Sequence, residues 1–158
     1  MKETILSKTL VKEINYLVVK NPTTVHKDTS IKEVLQSIVN DLHTRHAYVV
    51  DDKGKLLGTI RVNYVIQYLF PTVALLESRE IPQVGNFMEF YNAKTAEDIM
   101  NANPVFVYQN STLGELVKLM IEEKINEIPV LDKNKKVIGE VNILEIIMHY
   151  LKGEKIFR

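Results

Sequence analysis

Residues Asn126-Glu127-Ile128-Pro129-Val130-Leu131-Asp132, followed by Val137-Ile138-Gly139-Glu140-Val141-Asn142, decide the fold of this chain. The run Ile128–Leu131 is short, apolar and rich in β-branched residues, which predicts a buried strand. Asp132-Lys133-Asn134-Lys135 is a polar turn, and Val137–Val141 reads as the returning strand. A helix is predicted over 143–152, stopped by Gly153. Upstream, Leu113, Leu116, Val117, Met120 and Ile121 fall at i, i+3, i+4, i+7 and i+8, the stripe of an amphipathic helix. Thr112-x-x-Glu115 has capping-box spacing where that helix begins. Still further upstream, Pro104 biases the residue before it toward extended backbone, so a short extended piece opens the series. The order is β-α-β-β-α.

The same order occurs earlier in the chain. Asn21-Pro22-Thr23-Thr24-Val25 lies over Asn103-Pro104-Val105-Phe106-Val107 at an offset of 82. Val49-Val50-Asp51 lies over Val130-Leu131-Asp132, and Leu56-Leu57-Gly58 over Val137-Ile138-Gly139, at an offset of 81. Ile31, Val34, Leu35, Ile38 and Val39 repeat the helical stripe, and Ser30-x-x-Glu33 repeats the capping box. The second helix of this copy is predicted over 63–70, stopped by Pro71. Glu33/Glu115, Asp51/Asp132, Lys55/Lys136 and Gly58/Gly139 are identical pairs. A single copy of this size cannot bury two helix stripes and a sheet, so two copies are expected to pack face to face around a pseudo-twofold axis. The expected organisation is an N-terminal helix or linker over 1–20, repeats over 21–70 and 95–152, a connection over 71–94, and a tail over 153–158. Leu10, Val11, Ile14 and Leu17 fall at helical spacing in the first of these segments.

Composition narrows the function. The chain has 158 residues, with 20 Lys+Arg balanced by 20 Asp+Glu, which argues against a general nucleic-acid binder. It has no Cys, so disulfides, thiolate zinc sites and cysteine nucleophiles are excluded; a cytoplasmic location is the expectation. The most apolar stretch, 62–76, is interrupted by Asn63, Gln67 and Pro71 and is too short to span a bilayer. The N-terminus lacks the continuous apolar core of a signal peptide. No phosphate loop, nucleophile elbow or other catalytic constellation is present, so an enzyme is not expected.

The repeated words resemble the CBS domain. They are Glu97-Asp98-Ile99-Met100-x-x-Asn103-Pro104-Val105-x-Val107, then Asn126-Glu127-Ile128-Pro129-Val130-Leu131-Asp132, then Gly139-x-Val141-Asn142-x-x-Glu145-Ile146. The first copy keeps Asn21-Pro22-x-x-Val25, Val49-Val50-Asp51 and Gly58-x-Ile60. The resemblance implies a regulatory CBS pair, or Bateman module, of α/β class. It also implies binding of an adenosine compound such as AMP, ADP, ATP or S-adenosylmethionine in clefts between the repeats. The family pattern for a competent cleft is Gly-x-[apolar]-[Thr/Ser]-x-x-Asp, whose Asp takes the ribose hydroxyls. Here Asn142 takes the Thr/Ser place and Glu145 the Asp place. Glu remains a two-oxygen acceptor, so a ribose contact stays chemically open. That cleft would be completed by Thr23, Thr44, Arg45 and His46, the last two offering charge-assisted bonds to phosphate. In the other copy, Arg61 and Tyr64 replace the pattern, and a phenol cannot accept as a carboxylate does; Arg61 could still hold an anion. Met100, Val105, Ile125 and Asn126 would complete that cleft.

Plainer readings stand beside these. Asn142 with Glu145 is also a capping box. His43-x-x-His46 lacks a third ligand at suitable spacing, so no metal is expected. Tyr48, Tyr64, Tyr68 and Phe70 read as core or subunit interface. The connection carries Phe87 and Phe90 among other apolar residues, which suggests closure over the protein's own core or self-association. The resemblance implies a homodimer and leaves room for a target protein in trans. The alternative function is a ligand-free interaction or dimerisation module with degenerate nucleotide sites.

Overall fold

The computed structural model describes residues 5–41, 44–70 and 92–153. The chain divides into two compact units, Thr23–Pro104 and the combination of Met1–Pro22 with Val105–Arg158. The predicted order of elements is present in each.

In the unit Thr23–Pro104, strands β2 (Thr24–His26), β3 (His46–Val50) and β4 (Leu56–Arg61) form a sheet in the order β2-β3-β4. β2 runs parallel to β3, with Val25 opposite Val49; β3 runs antiparallel to β4, with His46 opposite Arg61. Helix α1 (Ile31–Asn40) starts at the predicted capping box: the Glu33 N–H donates to Ser30 Oγ, and the Ser30 N–H donates to the Glu33 carboxylate. It turns Val34 and Ile38 into a core shared with Val25, Ala47, Val49 and Ile60. Helix α2 (Val62–Leu69) adds Val65, and the short helix α3 (Ala96–Ile99) adds Ala96 and Ile99.

The other unit has a sheet of order β1-β7-β6-β5, from Val18–Val19, Val137–Asn142, Glu127–Leu131 and Val107–Tyr108 respectively. β5 is parallel to β6, and β6 antiparallel to β7, with Glu127 opposite Asn142. Helices α4 (Leu113–Glu122) and α5 (Ile143–Leu151) complete it. Its core gathers Leu113, Leu116, Met120, Ile128 and Val141 with Val11, Ile14 and Leu17 from the N-terminal segment. That segment departs from the expected α-helix. Val11–Leu17 is 3₁₀-helical with a break at Ile14 (φ −106°, ψ 39°), because its backbone also bonds to the unit: the Val11 N–H donates to Ser111 O and the Lys12 N–H to Gln109 O.

The two repeats and the two units therefore differ at their ends. Residues 18–19 pair with β7, Val19 opposite Glu140, while Asn101 bridges to Thr59 of β4. These pairings are related by the repeat offsets, so the strand crossover is duplicated with the rest. The Asn-Pro pairs Asn21-Pro22 and Asn103-Pro104 sit where the chain passes from one unit to the other.

The identical residues now have physical reasons. A Cβ on Gly58 would lie 2.6 Å from Met100 Sδ and 2.7 Å from Asn101 O; on Gly139 it would lie 2.4 Å from Val18 Cγ1 and 2.9 Å from Val19 O. Only glycine admits the crossing segment. Asp51 Oδ1 accepts from the N–H groups of Lys53 and Lys55, and Asp132 Oδ1 accepts from those of Asn134 and Lys136, closing the same Asx turn twice. One part of each helical stripe fails: Val39 and Ile121 are 68% and 71% exposed. The i+8 position has rotated about 80° from the first residue, off the core-facing side.

Candidate functional site

At one end of the β6–β7 ladder, the chain turns from strand into α5. The Ile143 N–H donates to Asn126 O at 2.8 Å, and Asn142 becomes the N-cap. Asn142 Oδ1 accepts from the Leu144 N–H at 2.8 Å, while its Nδ2 donates to Glu127 Oε1 at 3.2 Å across the strand pair. Both Asn142 and Glu127 are buried. Asn142 therefore caps, but not through the box expected with Glu145. The cap side chain is turned to the second helical N–H and to Glu127, and no reciprocal bond from Glu145 closes. Glu33, Asp98 and Glu115 hold the same third helical position and each does close a box. Glu145 stays half-buried in the first turn of α5, where the helix dipole favours a carboxylate.

The engaged carboxyls show what this costs in basicity. Hydrogen bonds from the Ser30 side chain and backbone hold Glu33 below the ordinary carboxylate range. The backbone N–H groups of Lys94 and Thr95 do the same for Asp98.

The corresponding end of the unit Thr23–Pro104 is cationic. The Val62 N–H donates to Arg45 O at 2.9 Å, repeating the Ile143–Asn126 bond, and His46 lies opposite Arg61 in the ladder. Arg61 is the N-cap of α2 and makes no side-chain cap bond. The strand pairing thus gathers Arg45, His46 and Arg61 around the N-terminus of α2, with Thr44 beside them. Thr23 leads into β2 two positions away from the residue opposite Val49. His46 is buried, its ring parallel to that of Tyr48 with centroids 6.3 Å apart. Arg45 is exposed, and one of its guanidinium nitrogens donates to Thr44 O at 3.3 Å.

Two expected ligand hydroxyls have intramolecular work. Thr44 Oγ1 donates to His46 O at 3.0 Å and accepts from the His46 N–H at 3.1 Å, a closed local turn. Thr23 Oγ1 donates to Asp41 Oδ2 at 2.7 Å. Sequence reasoning missed Glu127 and Asp41, the two carboxylates that hold Asn142 and Thr23. The visible signal for Glu127 was a charged residue at the mouth of a strand predicted to be buried.

Tyr64, at the third position of α2, is 37% exposed, and Tyr48 is fully buried. His43 lies outside the described residues, as do residues 71–91 of the connection with Phe87 and Phe90. Among the described residues no group of three or more His, Asp and Glu is placed to hold a metal ion. No described helix is long and apolar enough to cross a membrane.

Two copies of a β-α-β-β-α unit, each with a strand-to-helix turn at one sheet end, define a tandem-repeat α/β architecture. The CBS domain model matches residues 11–71 and 96–152, and the chain belongs to the CBS domain family. A solved CBS domain-containing protein from Thermotoga maritima is 34% identical, with a TM-score of 0.71 covering 93% of this chain and 97% of that one. The CBS domain pair of protein MJ0100, solved in complex with 5′-methylthioadenosine and S-adenosyl-L-methionine, is 25% identical with a TM-score of 0.66, covering 92% and 98%. A CBS domain-containing protein of Dictyostelium discoideum is 30% identical over 92% of this chain and 95% of its own length. Other curated relatives are much longer: the chain spans 19% of Protein SDS23 of Candida albicans, at 24% identity.

Proposed function

We propose that this CBS pair is a non-catalytic sensor that binds an adenosine-containing ligand, AMP, ADP, ATP or S-adenosylmethionine, with Glu145 accepting from the ribose hydroxyls. Arg45 is the first candidate for a phosphate or carboxylate of the ligand, and Arg61 is a second anion-binding group. Asn142 shapes the turn that presents Glu145, and His46 with Thr44 shapes the turn that presents Arg45. Thr23 contributes through its bond to Asp41. The observation that carries this reading lies at the described helix starts that place a carboxylate third. Among these, Glu145 closes no capping box, whereas Glu33, Asp98 and Glu115 each do. The ligand seen with the related MJ0100 pair adds chemical support for an adenosine compound. A ligand regulates such a module only by binding one arrangement better than another. Regulation of a target protein in trans, in the cytoplasm, is the corresponding role.

The test is a thermal-shift screen of the four compounds. A ligand at 100 times its dissociation constant adds about 2.7 kcal/mol of stability. No shift with any of them overturns the reading.

A second reading, a ligand-free homodimerisation module, is favoured by a different observation. Helix α2 leaves Val62, Ile66 and Leu69 exposed with no charge from Val62 to Phe70, and α5 leaves Leu144, Ile147, Met148 and Leu151 exposed. Apolar residues left exposed along one helix in this way mark an association site on each unit. Replacing Ile66 or Ile147 with Asp should then abolish a dimer seen by light scattering, with or without nucleotide.

A further inference from the structure

The N-terminal segment is separated in sequence from everything it packs on. Val11, Ile14 and Leu17 are 0%, 1% and 0% exposed within the core built by Leu113, Leu116, Met120 and Val141. Its backbone is received as closely as its side chains. The Leu113 N–H donates to Thr9 O, Leu10 bridges to Thr112, and Val18 and Val19 pair with Val141 and Glu140. Two glycines make room for it. A Cβ on Gly114 would stand 3.3 Å from Leu6 O, and one on Gly139 would strike Val18. The residues from Val105 onward thus form an acceptor whose bound element is another stretch of chain. The covalent tether is Lys20-Asn21-Pro22, which leads into a separate compact unit before the chain returns.

That tether holds the one positive φ between the docked segment and the next unit. Asn21 has φ +58°, a left-handed backbone that asparagine tolerates better than other non-glycine residues, but it precedes a proline, which disfavours helical backbone. An extended tether releases Asn21 from this conformation. A short hinge of this kind favours exchange of an identical element between copies.

We propose that residues 5–19 are an exchangeable element, and that two copies of this chain form a segment-swapped dimer in which each copy's β1 pairs with β7 of the other. The inference needs no ligand. It deepens the self-association reading by naming which element one copy lends the other.

The chain has no cysteine, which makes the test direct. Val18 and Val141 face each other in an antiparallel pair, a separation that a disulfide spans. Differently tagged Val18→Cys and Val141→Cys single variants are refolded together at high concentration and oxidised. The swap predicts a covalent heterodimer on a non-reducing gel. Its yield falls with Asn21→Gly, which takes a positive φ freely, and rises with Asn21→Val. A dimer by light scattering without that cross-link, with the double variant Val18→Cys/Val141→Cys linking only within one chain, overturns the swap and leaves ordinary dimerisation standing. A monomer under all conditions overturns both. The pair Leu10→Cys and Thr112→Cys repeats the test at a second bridge in case the core variants fold poorly.

Discussion

Gly139→Ala isolates the contact that joins the N-terminal segment to the second repeat. The added methyl carbon would lie 2.4 Å from Val18 Cγ1 and 2.9 Å from Val19 O. Ordinary carbon contacts are about 3.5–4.0 Å, so more than an ångström of overlap must be relieved. Val18 is β-branched and has few alternative rotamers, and Val19 O is backbone, so relief requires β1 to move off β7. Overpacking a well-filled core costs about 1–3 kcal/mol, and this clash belongs near the top of that range. Removing a glycine from a strand returns about 0.5–1 kcal/mol. The net expectation is a loss of about 2 kcal/mol. In a chain of this length that lowers Tm by about 4–8 °C. Urea denaturation measures it, and Val18→Ala provides the second arm of a double-mutant cycle. With Cγ1 gone, the methyl added at position 139 should cost visibly less. Gly54→Ala is the contrasting control, because Gly54 has nothing within 4 Å but a φ of +78°, so its cost is conformational and indifferent to Val18. A Gly139→Ala loss below about 0.5 kcal/mol, or one that Val18→Ala leaves unchanged, refutes the account of why this glycine is repeated.

Other outcomes follow from the same structure. Lys135 occupies the turn position that Gly54 fills in the first repeat and has φ +63°, so Lys135→Gly should raise stability by about 1 kcal/mol in urea titration. Leu116 is fully buried, and Leu116→Ala should cost about 2–5 kcal/mol by the same assay. The Glu33 and Asp98 carboxyls are held below their unfolded values by their capping bonds. They therefore contribute stability above the unfolded pKa that is lost as pH falls through the folded pKa; carboxyl NMR titration should find both low, and Asp98→Asn should flatten the acid limb of the stability curve.

The repeat, the capping boxes at Ser30 and Thr112 and the turns were readable because each is built from residues close in sequence. Ser30 with Glu33 lie a turn apart, Asp51 with Lys55 close one Asx turn, and periodicity marks the buried strands. The crossover was not readable. Val18-Val19 is too short a run to register as a strand, and its partner, Val141, lies far along the chain. The break at Ile14 has the same origin, since helical spacing over Leu10–Leu17 is indifferent to the bonds that Ser111 and Gln109 offer. At the candidate site, the strand-to-helix turns followed from the aligned repeats. The ladder position of Arg61 opposite His46 did not, because the resemblance assigned these two residues to different clefts. The engagement of Thr44 with the His46 backbone, and of Asn142 with Glu127, did not, because each depends on side-chain direction rather than spacing.

The central claim is that Glu145 is reserved for a ligand. Isothermal titration calorimetry of the full chain with AMP, ADP, ATP and S-adenosylmethionine, repeated on Glu145→Ala, tests it most directly. The account predicts sub-millimolar binding of at least one compound, weakened ten-fold or more by the substitution, about 1.4 kcal/mol or more for a charge-assisted contact. Binding that is equal in the two proteins, or absent from both, contradicts it.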